Sequence, residues 1–131
     1  MRTCPPYLPA SVLHRAALAL ACVAALAGCK DEPTSVLPGG DIEQGLRLVT
    51  QYQCGACHTI SGVQGAAGTS APALDYIGRL SYIAGGIPNS PDNMMRWLRT
   101  PHAVKPGTEM PAMGLTEQEA RHMAAYLYTL R

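Results

Sequence analysis

Cys54-Gly55-Ala56-Cys57-His58 sets two thiols three positions apart and an imidazole directly after the second. C-x-x-C-H is the spacing that attaches a c-type haem. Thiols on one helical turn reach the two vinyl groups of a planar porphyrin, and His58, four after Cys54, projects from the same face toward the iron. Two other uses of paired cysteines fit less well. A thioredoxin-like C-x-x-C needs a βαβ context, which this sequence lacks, and has no use for His58. A structural zinc site wants a fourth ligand and usually a second cysteine pair.

Upstream of the motif, Ile42, Gly45, Leu46 and Val49 recur at i, i+3, i+4 and i+7, with Asp41 as N-cap and Gln44 three positions on. The pattern predicts a helix over 42–53. Glycine costs a helix up to about 1 kcal/mol relative to alanine, so Gly45 on the apolar face predicts close approach by another helix. Residues 30–40, with Pro33, Pro38, Gly39 and Gly40, have no periodicity and read as a tether. Before them Arg2 and Arg15 precede the apolar run 16–28, which leads into Leu26-Ala27-Gly28-Cys29. This resembles a bacterial lipoprotein signal peptide, in which Cys29 is lipidated and becomes the first mature residue. Thirteen apolar residues fall short of the roughly 20 that a spanning helix needs. The expected organisation is a signal peptide over 1–28, lipidated Cys29 and tether over 29–40, and one domain over 41–131.

That organisation resets the inventory. Without residues 1–28 the chain keeps eight Lys and Arg against nine Asp and Glu, a net −1, and Cys54 and Cys57 are its remaining thiols besides Cys29. Export implies an oxidising compartment, here the periplasmic side of a bacterial membrane. An apolar content of 47% with 15% charge excludes a disordered polymer and a multi-span membrane protein. No basic patch points to nucleic acid. The chain has no Phe and one Trp, so something other than large side chains is expected to fill its interior.

Downstream, Ser90 as N-cap and Pro91 at N1 open a helix that ends before Pro101. Thr116 and Glu119 form a capping box before the apolar stripe Ala120, Met123, Ala124, Leu127 and Leu130, predicting a helix over 117–130. Residues 61–73 and 84–91 are rich in Gly and Pro, with one helical turn expected around Tyr76 to Leu80. No alternating strand pattern appears. The fold class is all-α, three main helices with long loops, and loops of that length in so small a chain usually wrap something.

One axial ligand of the haem is expected from His58; the other must come from far along the chain. Met123 lies on a helical stripe and Met94 and Met95 inside a helix, where Met is an ordinary gap-filler. His102 and His122 are most simply solvated. Met110 sits in Lys105-Pro106-Gly107-Thr108-Glu109-Met110-Pro111, an irregular segment whose prolines can hold a loop against a flat surface. It is the favoured sixth ligand, with Met113 the alternative that spacing leaves open.

Gly45, Cys54-Gly55-Ala56-Cys57-His58, Ala71-Pro72-Ala73-Leu74, Gly78-Arg79, Trp97-Leu98-Arg99-Thr100-Pro101, Pro106-Gly107-Thr108-Glu109-Met110-Pro111 and Ala125-Tyr126-Leu127 together resemble class I cytochrome c. The resemblance covers 41–131 and looks closest to bacterial membrane-tethered cytochromes and to the cytochrome domains fused to subunit II of some haem-copper oxidases. It implies one covalent haem c held by Cys54 and Cys57, with iron ligated by His58 and Met110. It places Gly45 against Tyr126, Pro72 beside His58 with a nearby carbonyl accepting the ring N–H, and Leu74 on the porphyrin. It also places Arg79 near a propionate and Trp97 near the Met110 side. Lys30 and Lys105 are the chain's two lysines, so a ring of lysines around the haem edge is absent.

The function implied is not enzymatic. A mono-haem lipoprotein would carry single electrons between membrane complexes, taking them from a quinol-oxidising complex and passing them to a terminal oxidase or reductase. A fixed electron-transfer subunit of a larger oxidoreductase is the alternative. A haem peroxidase or gas-binding protein would need a vacant sixth position, against which the Met110 loop argues.

Overall fold

The computed structural model describes residues 37–131; the expected signal peptide, Cys29 and the tether up to residue 36 lie outside the described residues. Helix α1 spans Ile42–Gln51, started by Asp41, whose Oδ1 accepts the Gln44 N–H at 2.8 Å. It ends two residues short of the expected 53. Tyr52 caps it and Gln53 turns into the left-handed region at φ 54°, where a right-handed helix cannot continue. That reversal delivers the chain into a 3₁₀ turn over Cys54–Ala56.

Helix α2 spans Pro91–Arg99 with Ser90 as its N-cap, as expected. A four-residue helix α3, Pro101–Val104, follows directly. The proline that stops α2 opens α3, because its missing N–H is no loss at a first helical position. Helix α4 spans Glu117–Leu127, opened by the Thr116–Glu119 capping box. It stops three residues before the expected 130. The Thr129 and Leu130 N–H groups return to Tyr126 and Leu127 at 2.8 and 3.2 Å, tightening the last turn.

The region around Tyr76–Leu80 holds a 3₁₀ turn over Ile77–Arg79. After it comes a feature without a sequence signal: β1, Tyr82–Ile83, pairs antiparallel with β2, Ile87–Pro88, with Tyr82 opposite Pro88 and Ile83 opposite Ile87. Two residues per strand are too few to show alternation. The all-α class stands with this small hairpin added.

Helix α4 is the spine of the core. Ala120, Met123, Ala124, Ala125 and Leu127 are buried along it, joined by Leu48 and Val49 of α1, Met94 and Leu98 of α2, and Ile60, Ile83 and Leu115 from loops and hairpin. α1 crosses α4 at Gly45, where a Cβ would meet the His122 carbonyl and lie 2.7 Å from the Tyr126 Cβ. Only glycine permits that approach.

The tether expected to run to residue 40 ends earlier. Leu37 is 1% exposed, its carbonyl accepts the Gly40 N–H at 3.0 Å, and the Gly39 carbonyl accepts the Gln118 amide at 3.0 Å. The Asp41 N–H donates to His122 Nδ1 at 2.9 Å. An apolar side chain with a core to enter draws residues 37–40 into the domain.

Candidate functional site

Two loop segments run side by side behind the cysteine turn. The Ala71 N–H donates to the Cys57 carbonyl at 3.1 Å and the Leu74 N–H to the Thr59 carbonyl at 2.9 Å. Between them His58 Nδ1 lies 2.6 Å from the Pro72 carbonyl. A carbonyl oxygen cannot donate, so Nδ1 carries a proton, and in the neutral ring Nε2 keeps its lone pair. His58 is thereby fixed in the tautomer that ligates a metal, with its ring oriented by the partner of its other nitrogen.

The loop over residues 61–70 folds back on the cysteine turn. The Gly68 N–H donates to the Gly55 carbonyl at 3.0 Å and the Gly68 carbonyl accepts the Thr59 hydroxyl at 3.0 Å. A Cβ at Gly68 would stand 2.5 Å from the Ala56 carbonyl oxygen, so this closure requires glycine. Cys54 is half-buried and Cys57 exposed, and neither is in a disulfide. Burial, its main cause, pushes the Cys54 thiol up from its ordinary value.

The remaining candidates separate by burial. Met94 and Met123 are 2% and 1% exposed, fixed in the core, and Met95 is half-buried against it. His102 is exposed, and His122 is engaged by Asp41 and Gln118. Met113 is 41% exposed, whereas Met110 packs half-buried against the core with its N–H on the Thr108 hydroxyl at 3.3 Å. Leu74 and Trp97 are half-buried against the same core, and Arg79 is exposed at the end of its 3₁₀ turn. Leu80 and Tyr82 are 49% and 61% exposed. Large apolar side chains left open in a chain without Phe, two unbridged thiols and an imidazole with free Nε2 fit a covalently held haem.

A family model described as cytochrome c matches residues 42–131. The chain belongs to the cytochrome c family. Among its relatives, cytochrome c oxidase subunit 2 of Alkalihalophilus pseudofirmus is 33% identical over 102 residues, covering 77% of this chain and 28% of that subunit. Cytochrome c of Theileria parva is 32% identical over 108 residues, covering 75% of this chain and 93% of the relative. Cytochrome c of Tetrahymena pyriformis is 33% identical over 108 residues, covering 73% and 94%. The chain thus spans under a third of the oxidase subunit it matches and nearly all of the small cytochromes. As a class I cytochrome c domain it carries one covalently bound haem c and serves haem-based electron transfer.

Two side chains around this cytochrome site escape the sequence motifs. The Asn89 amide donates to the Ile77 and Leu80 carbonyls, both at 2.8 Å, and its oxygen accepts the Tyr128 hydroxyl at 2.9 Å, tying the Arg79 turn to the end of α4. Asp75 accepts the Ser61 N–H at 2.6 Å. A lone Asn in a Pro-rich stretch carries no pattern. Asp75 has a weak one, as a single charge within a long uncharged run.

Proposed function

We propose that this chain is a mono-haem electron carrier, tethered by a lipid on Cys29 to the periplasmic side of a bacterial membrane, with His58 and Met110 as axial ligands. The observation that carries the ligation is the 2.6 Å contact between His58 Nδ1 and the Pro72 carbonyl, which leaves Nε2 free and aimed by its neighbour. The haem, when bound, supplies one-electron redox chemistry. Cys54 and Cys57 would hold it, His58, oriented by the Pro72 carbonyl, would ligate its iron, and Met110 would offer a thioether from a loop packed against the core. With His58 and Met110 both as ligands the iron would offer no open position to a substrate, which supports a carrier rather than an enzyme. Leu74, Trp97 and Arg79 complete the pocket as two apolar walls and a cation for a propionate.

Donor and acceptor are read as a quinol-oxidising complex and a terminal oxidase or reductase. The match to oxidase subunits supports the second half of that route and equally favours another reading, a fixed electron-transfer subunit of a larger oxidoreductase. The test is optical. Met110→Ala should abolish the methionine–iron band near the red end of the oxidised spectrum, whereas Met113→Ala should leave it. Loss of the band in Met113→Ala alone overturns the assignment. Cys29→Ser should release the holoprotein from membranes with its spectrum intact, and retention on the membrane argues against the lipid anchor.

A further inference from the structure

Between Arg47 and Arg79 the sequence contains a single Asp, Glu, Lys or Arg, and it is Asp75. Asp75 is partly exposed, and none of the ion pairs among the described residues involves it. Its partner is the segment that carries the haem ligand. Oδ1 accepts the Ser61 N–H at 2.6 Å, and the hydroxyl and N–H of Ser61 together hold the Asp75 carboxyl below its ordinary value. The Ser61 carbonyl in turn accepts the buried Tyr126 hydroxyl of α4 at 3.3 Å.

The placement gives this bond its meaning. Segments 57–61 and 71–75 are joined at successive points: Ala71 to Cys57, Pro72 to His58, Leu74 to Thr59, and Asp75 to Ser61. The last of these is the only one made by a carboxylate, and a charged acceptor gives a bond roughly twice as strong as a neutral one. Pro72 has no N–H of its own to fix its plane. Its carbonyl is therefore held toward His58 by the joints on either side of it.

We propose that Asp75 is a positioning residue for the axial histidine: by clamping Ser61 it locks the two segments in register and so sets the strength of the bond from His58 Nδ1–H to the Pro72 carbonyl. The inference rests on His58 as iron ligand. A looser clamp weakens that bond and makes the imidazole a poorer donor, which favours the reduced state.

The experiment compares Asp75→Asn with Asp75→Ala in the haem-loaded, reduced protein, by NMR of the His58 ring N–H and by reduction potential. Both variants lose the charge, but Asn retains an oxygen for the Ser61 N–H. Solvent exchange of the His58 Nδ1–H should quicken about tenfold or more in Asp75→Ala and stay within about threefold of wild type in Asp75→Asn. The Ala potential should lie above that of Asn. If Ala and Asn coincide in exchange and in potential, Asp75 acts as a charge alone and the proposal fails. Should Asp75→Ala not accumulate with haem, Asp75→Glu takes its place. It keeps the charge and misplaces the oxygen, so faster exchange supports the clamp and unchanged exchange overturns it. A wild-type protein without a protected His58 ring N–H removes the ligation reading itself, and this inference with it.

Discussion

At position 45 a single methyl group has nowhere to go. The atoms it would meet are the His122 backbone carbonyl and the Tyr126 Cβ, neither the yielding end of a long side chain. Alanine would gain about 1 kcal/mol of helix propensity. Overpacking typically costs about 1–3 kcal/mol, and here both neighbours are rigid, so the packing loss wins. Gly45→Ala should therefore lower stability by about 1–2 kcal/mol and the holoprotein Tm by several degrees, measured by thermal unfolding. A Tm equal to or above wild type would show that α1 and α4 separate easily. This residue was legible in the sequence because a glycine on an apolar helical face conflicts with local propensity, and such a conflict needs a tertiary cause. His58 and the two thiols were legible through spacing. Asp75 and Asn89 were not, because their partners, backbone groups and hydroxyls from distant segments, are brought close only by the fold.

Among the elements, α4 has the most fully specified start. The Glu119 carboxylate accepts the Thr116 N–H at 2.8 Å and hydroxyl at 2.7 Å, and its other oxygen accepts the Tyr52 hydroxyl at 2.9 Å. The Thr116 backbone bond, then the Thr116 and Tyr52 hydroxyls, hold its carboxyl below the ordinary value. A carboxyl lowered by folding contributes stability that is present above its unfolded value and is lost as pH falls through its folded one. Stability should thus decline on acidification from about pH 5 downward. Glu119→Gln, which keeps an acceptor oxygen but cannot ionise, should flatten that decline. Identical pH profiles by chemical denaturation would remove Glu119 from the account. The long helices were readable because capping and periodicity agree along them. The 82–88 hairpin and α3 were not, since two- and four-residue elements hold less than one period of any pattern.

For the whole molecule, the described core is built on alanine, leucine and methionine around α4, with tyrosines as its buried aromatics. Long glycine-rich loops close over the cysteine turn through backbone bonds and no large side chains. So small a core leaves the haem as the largest apolar piece available to the fold. Cys54→Ser combined with Cys57→Ser should yield haem-free protein without fixed tertiary structure, seen as loss of near-ultraviolet dichroism and of a cooperative thermal transition. A sharp transition close to the holoprotein's Tm would show that the chain folds by itself.

The burial of Leu37 also sets a length. Leu37 stands eight positions after Cys29, and eight steps of fully extended chain reach at most about 29 Å. With the lipid we propose on Cys29, the domain would be on a leash shorter than the diameter of many membrane complexes. Its search for partners would then become two-dimensional, within a thin layer above the bilayer, and local concentration rather than bulk diffusion would govern how often it meets them. A partner whose electron entry port stands higher above the membrane than that leash allows would be out of reach, however well its surface matches.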